Sequence, residues 1–267
     1  MAGRGLLAAL PALLIVAAPA AAAPAQRELC TDRPGLGTPT CTVEPGHVQL
    51  ELGLVDWTLD RQLGDRGDVW TAADLLLRVG IADHAELQFG LTAYGWSRDR
   101  AVGTVSHAHG TGDLTIAFRR NLLRPDGAGT TLAVMPYATL PTGGHAIGAG
   151  DWSAGVALPF GFDLSDTVSL EFAPRLEAAV DQDRHGRHLA FGSVAGVAVD
   201  LSPAWNLTAE LEETRDKDPA GRHSESLAGL AFGWTPGRNV QFDAGAIVGL
   251  NRHSEDVELY AGIVRRF

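Results

Sequence analysis

From residue 46 to residue 267, apolar and polar side chains alternate with a period of two, segment after segment. Such alternation places one set of side chains on each face of a β-strand. Leu87, Phe89, Leu91 and Ala93 share one face, with Glu86, Gln88, Thr92 and Tyr94 on the other. Val168, Leu170, Phe172, Leu176 and Ala178 oppose Ser169, Glu171, Arg175 and Glu177. Leu207, Ala209 and Leu211 oppose Asn206, Thr208, Glu210 and Glu212. The pattern predicts twelve strands, approximately 46–57, 69–80, 85–96, 110–119, 130–141, 151–163, 167–180, 188–201, 205–215, 224–235, 239–250 and 256–267.

A soluble sandwich would alternate in the same way, with its apolar face inward. Three features point instead to a membrane-spanning barrel. The segments are long, mostly 10 to 14 residues, where ordinary strands run to about 5 or 6 and a tilted spanning strand needs about 9 to 11. The connections alternate in length. Short ones fall at 80–83, 163–166, 201–204 and 235–238, and longer polar ones near 58–68, 97–109, 142–150, 181–187, 216–223 and 251–255. Outer-membrane barrels have short periplasmic turns and longer external loops; the connection 120–129 is long for such a turn. The tryptophans form the third feature. If the first strand runs outward, Trp57, Trp70, Trp96 and Trp152 fall at the external end. Trp205 and Trp234 fall at the periplasmic end, with Phe118, Phe162, Phe242 and Phe267. Amphipathic rings at two heights are what interfacial girdles require. Trp57, Trp70 and Trp96 do not all share the parity of their apolar neighbours, so bulges or lumen-facing rims are expected there.

The expected fold is therefore all-β, an antiparallel transmembrane barrel of about twelve strands over residues 46–267. An even count returns both termini to the periplasm, and closure removes the edges that lipid cannot hydrate.

Hydrophobic residues make up 45 % of the chain, too few for a bundle of membrane helices. The one long apolar run is N-terminal. Arg4, then Leu6 to Ala18, then the small residues Ala20 to Ala25 read as a signal peptide over 1–25 that directs export. Cys30 and Cys41, the only cysteines, follow it. In an oxidising compartment they are expected to pair, closing a loop worth about 3 kcal/mol of unfolded-state entropy in the simple model. The segment 26–45 around them holds Pro34, Gly35, Gly37 and Pro39 and has no strand pattern. A disulfide-stapled periplasmic cap, a plug entering the lumen and an unstructured leader all remain open.

The net charge of −11 excludes an electrostatic nucleic-acid binder. Strand parity assigns acidic side chains to the lumen: Glu51, Asp74, Glu86, Asp113, Glu171, Glu177, Glu210, Glu212, Asp243 and Glu258. Arg78, Arg119, Arg175 and Arg266 are the inward bases. An acidic excess favours cations in an open lumen; arginines bridging carboxylates would instead close it. No cofactor is expected. Histidines gather near the predicted external loops, at 107, 109, 145, 185, 188, 223 and 253. His107 with His109, and His185 with His188, could each offer two imidazoles to a transition metal. A hydrolase needs a nucleophile beside its base. His253-Ser254 and His223-Ser224 are sequence neighbours, which a strand would point to opposite faces, and no G-x-S-x-G elbow occurs. An enzyme is not expected.

The last strand, Val257 to Phe267, alternates and ends on an aromatic carboxy-terminal residue. It looks like the signal read by the barrel-assembly machinery, although Arg265 departs from the apolar residue often found third from the end. Four stretches resemble the outer-membrane family labelled "putative MetA-pathway of phenol degradation", also called a transporter. They are Val43-Glu44-Pro45-Gly46-His47, Gly112-Asp113-Leu114-Thr115, Leu140-Pro141-Thr142-Gly143 and Val264-Arg265-Arg266-Phe267. The resemblance implies an outer-membrane channel for the passive passage of a small solute such as a small organic compound, set among outer-membrane lipid and lipopolysaccharide. It carries no catalytic residues. A closed-lumen structural or adhesive barrel is the alternative, and an outer-membrane hydrolase comes after it.

Overall fold

The computed structural model describes residues 27–62, 65–124, 129–144 and 146–267. The expected leader over 1–25 and His145 lie outside the described residues.

Fourteen strand segments close into one antiparallel barrel. They are β1 (Val48–Gln62), β2 (Asp65–Ala82), β3 (Ala85–Ala101), β4 (Thr104–Gly110), β5 (Leu114–Leu123), β6 (Thr130–Leu140), β7 (Ser153–Ala157), β8 (Phe160–Ser165), β9 (Val168–Val180), β10 (Arg187–Ser202), β11 (Trp205–Asp216), β12 (His223–Gly237), β13 (Val240–Gly249) and β14 (Val257–Arg266). Two staves are broken into two segments each. β4 and β5 both pair with β3, and the ladder is carried across the break by Gly112 N donating to Thr92 O at 2.8 Å. β7 and β8 both pair with β6 and β9. Pro159, at that break, has no N–H to give, but its carbonyl accepts from Ala133 N at 2.9 Å. The result is a twelve-stave barrel, as the alternation predicts. β14 pairs with β1 to close it, ending where Phe267 N donates to Val48 O at 2.8 Å.

Short turns at 83–84, 166–167, 203–204 and 238–239 define one end, which also holds the start of β1 and the carboxy terminus. The other end is built differently from the sequence expectation. Residues 58–62, 65–68, 97–101 and 104–109, expected in loops, continue β1, β2, β3 and β4 as paired strands. Their polar alternation resembles a loop because both faces meet water beyond the membrane. Irregular long loops remain at 141–152, 181–186, 217–222 and 250–256.

The outer wall is apolar. Leu170, Phe172, Leu176, Phe191, Leu211, Leu230 and Phe232 all stand exposed on it, which water would not favour and lipid does. The misfit parity of three tryptophans has a common cause. Register in β1 slips between Gly53 and Val55, and Ala73, beside it in β2, adopts a left-handed φ of 54°. Below this level Gly53, Asp74 and Thr92 form one row; above it Trp57, Trp70 and Trp96 form another. The irregularity crosses β1 to β3 and turns all three rings to the outer wall, where Trp57 and Trp70 pack at 5.9 Å. Trp205, Trp234 and Phe242 stack at the short-turn end.

The wall parity is testable. Leu230→Arg should destabilise the barrel by about 2–4 kcal/mol if its position is near the membrane midplane. Urea unfolding in lipid vesicles, read by heat-modifiable gel mobility, would measure it; an unchanged midpoint would place Leu230 off the lipid face.

Candidate functional site: a lumen crossed by the N-terminal segment

The segment from Arg27 to His47 enters the barrel at the short-turn end and crosses the lumen. Of the three possibilities left open by its sequence, the structure shows a plug. Cys30 and Cys41 are bonded with Cα atoms 5.9 Å apart, closing the plug loop as expected. The loop touches the wall on every side: at Gln49 and Glu51 of β1, Arg78 of β2, Glu86 of β3, Arg119 and Asn121 of β5, Thr131 of β6, Glu210 of β11 and Asp243 of β13.

Arg78 organises one half of this contact. Its side chain is fully buried, as are those of Glu51 and Glu86, which it bridges at 2.9 Å each. The same guanidinium donates to the Cys30 carbonyl at 2.9 Å. Arg119, equally buried, donates to Asp32 of the plug at 2.8 Å. Glu51 accepts the amides of Asp32 and Arg33, and Glu86 the amide of Val43. Burial alone would raise the Asp32 carboxyl, but Arg119 and Arg78 beside it hold it below the ordinary carboxylate range. Asp32 therefore stays ionised at neutral pH.

On the opposite wall, Arg33 pairs with Asp243 at 2.9 Å and lies 5.4 Å over the Tyr260 ring. Glu210 accepts the amides of Leu36 and Gly37 at 2.7 and 2.8 Å. The backbone comes so close that a side chain at Gly35 or Gly37 would collide with the carboxylates of Glu210 and Glu171, and Gly35 also needs φ of +115°. Leu36 supplies the apolar anchor, packed on Ala231, Ile247 and Tyr260. At the short-turn end Arg266 reaches Glu44 at 3.0 Å and the carbonyls of Arg27 and Glu28.

Not every parity-assigned residue meets the plug. Arg175 pairs with Glu212, and Glu177 accepts from Tyr137 at 2.9 Å. Asp74 accepts from Thr92 at 2.9 Å. Glu258 lies beside Asp56 and Glu255. Asp56 was hidden from the sequence parity because the slip in β1 reverses it. Asp113 instead holds the 141–152 loop, accepting from Gly143 N and Ala149 N at 2.7 Å each. The plug contributes Asp32 and Arg33, which strand parity could not reach; an adjacent opposite-charge pair inside a disulfide loop was their only mark.

The histidines of the two pairs each have other partners. His107 and His109 stack on Trp96 and Tyr94, at 5.5 and 6.4 Å. His185 is exposed and folds onto its own loop, at Asp183 O. His188 turns instead toward aspartates.

A closed barrel of this construction, apolar outside and charged within, defines an outer-membrane β-barrel protein. Its lipid-facing wall sits in the outer membrane. The chain belongs to the family described as "Putative MetA-pathway of phenol degradation", whose model matches residues 31–267. Among solved structures, it is similar to the COG4313 outer membrane channel from Pseudomonas putida F1. That match has a TM-score of 0.68 at 15 % identity and covers 91 % of this chain and 99 % of the other. The NanC porin matches with a TM-score of 0.52 at 6 % identity, over 82 % of this chain and 98 % of that one. The β domain of the Bordetella autotransporter BrkA also gives 0.52, at 14 % identity over 84 % and 100 %. No curated protein matches the sequence.

The buried network predicts a mutational cost. Arg78→Met leaves Glu51, Glu86 and Asp32 short of a cation and should cost about 3–5 kcal/mol. Amide exchange should also rise across 30–43. A loss below 1 kcal/mol with unchanged exchange would show that Arg78 does not seat the plug.

Proposed function

We propose that this protein is a passive outer-membrane channel for a small solute, which passes through the lumen beside or past the N-terminal segment. The observation that carries this reading is the lining. The lumen is walled by charged side chains, and what crosses it is a short, non-strand segment held by ion pairs and hydrogen bonds. Hydrogen bonds of this kind contribute about 0.5–1.5 kcal/mol each, net of the bonds they replace with water, and water can take their place when the segment shifts. Beyond the plug stand Asp56, Asp74, Glu177, Glu212 and Glu258, with Arg175 among them and Arg33 of the plug facing them. This acidic excess favours a cationic or neutral solute over an anion. The family description, with its reference to phenol degradation, supports a small organic compound, and the channel from Pseudomonas putida F1 supports passage as the activity.

In this reading residues 1–25 direct export and are removed. The short-turn end lies in the periplasm, and the strand ending at Phe267 is read by the barrel-assembly machinery. The long-loop end meets lipopolysaccharide. The protein is not an enzyme in this reading. Ser254, one hydrolase candidate, supports that, since its hydroxyl is committed to the backbone of Ser226 on both sides, at 2.8 and 2.9 Å.

One observation favours a second reading. The plug reaches walls on all sides, so the barrel could be permanently closed and act through its surface. Planar-bilayer recording separates the two. The intact protein is expected to show small, steady, cation-preferring conductance. Deletion of 31–40 should raise that conductance severalfold while the barrel remains heat-modifiable on gels. Silence from both proteins at all voltages would overturn the channel reading in favour of the closed barrel.

A further inference from the structure

At the long-loop end, two loops meet over the rim of the wall. One joins β9 to β10 and the other joins β11 to β12. Between them lies His188, the second residue of β10, with its side chain only 5 % exposed. Its Nδ1 stands 2.8 Å from Asp181 Oδ1 and 3.5 Å from Asp218 Oδ2, and its Nε2 stands 2.7 Å from Asp216 Oδ1. The aspartates are fixed by backbone. Asp218 accepts from Gln182 N at 2.7 Å and Ala220 N at 2.6 Å, and Asp216 accepts from Asp218 N at 2.7 Å. None of these residues touches the plug contacts described above.

From this geometry we infer a binding site for one divalent transition-metal ion of the zinc class, with His188 Nδ1, Asp181 and Asp218 as its ligands. A neutral imidazole carries a single N–H. Nε2 is buried with no aligned hydrogen-bond partner, although Asp216 Oδ1 stands 2.7 Å away; a proton held on that nitrogen would leave the Nδ1 lone pair facing the other two carboxylates. A carboxylate behind a metal-binding histidine is the usual orienting partner. The three donor atoms lie within 4.8 Å of one another, and zinc bonds of about 2.0–2.2 Å would set them about 3.4 Å apart in a tetrahedron, which opens the 2.8 Å contact between Nδ1 and Asp181. Three carboxylates surround one imidazole, so with the neutral ring that a metal requires the cluster carries −3, and a dication reduces it to −1. The nitrogen donor selects against calcium and magnesium, which prefer all-oxygen shells of six or more ligands. A fourth position stays free for water. The ion would fasten the β9–β10 loop to the β11–β12 loop and fix the rim of the lumen on that side.

The test uses the full mature chain, purified in detergent without a histidine tag, its folding checked by heat-modifiable mobility. After zinc loading and dialysis against excess calcium, elemental analysis should find one zinc per chain. His188→Gln and Asp218→Asn should each lower zinc affinity at least tenfold, and Asp216→Asn about 10–100-fold. His185→Gln should leave it unchanged. A wild-type chain that retains no stoichiometric zinc overturns the proposal. So does His188→Gln retaining it. Loop loosening in His188→Gln without any zinc bound by the wild type would identify a purely ionic clamp, which also overturns the metal site.

Discussion

The seating of the plug in this barrel depends first on one buried guanidinium. Arg78 projects from β2 into the lumen and joins two carboxylates of the wall, Glu51 and Glu86, to the Cys30 carbonyl of the plug. A buried charge costs several kcal/mol to desolvate, and only partners of good geometry offset that cost. Here the partners come from both sides of a junction between wall and plug. The network is complete only when the plug is seated, because Asp32 supplies the carboxylate that Arg119 reaches. Seating is therefore specified largely by charge placement, with Leu36 and the fully buried Val43 adding apolar contacts.

That choice of interaction has a functional side. A lumen filled with interlocking aliphatic chains would be sealed as firmly as a protein core. One filled mainly by charged pairs and backbone amides keeps polar atoms at most contacts, and water or a polar solute can substitute for them. The plug is tethered to β1 through Gly46, which hydrogen-bonds to Gly80 O at 3.2 Å beside the barrel mouth, so the rest of the segment has only side-chain and amide contacts to hold it.

The outer wall obeys a separate constraint. Every lipid-facing backbone group must be paired within the protein, and the breaks between β4 and β5 and between β7 and β8 are tolerated because the ladder continues across them. The register slip at Gly53 performs a second task. By reversing parity across three staves it sends Trp57, Trp70 and Trp96 outward and brings Asp56 inward. The girdle and the acidic upper lumen therefore depend on the same local irregularity.

The alternation of side chains, taken with strand length, loop asymmetry and tryptophan placement, determined the barrel and its twelve staves, because a period of two is a local property that lipid on one face and polar groups on the other enforce residue by residue. That Cys30 and Cys41 are the only cysteines, in a chain read as exported, likewise determined their pairing. The extended hairpins beyond the membrane were misread as loops, since strands wetted on both faces lose the alternation that betrays them. Only the tertiary structure decided that the N-terminal segment is a plug. Its partners lie up to 239 positions away in the chain, as between Arg27 and Arg266, and no periodicity relates an irregular segment to the wall it meets. The same holds for His188. Its neighbours in sequence suggested a second histidine, but loop closure across the rim brought it aspartates instead, because the partners of a side chain at a barrel rim are set by which loops fold over it.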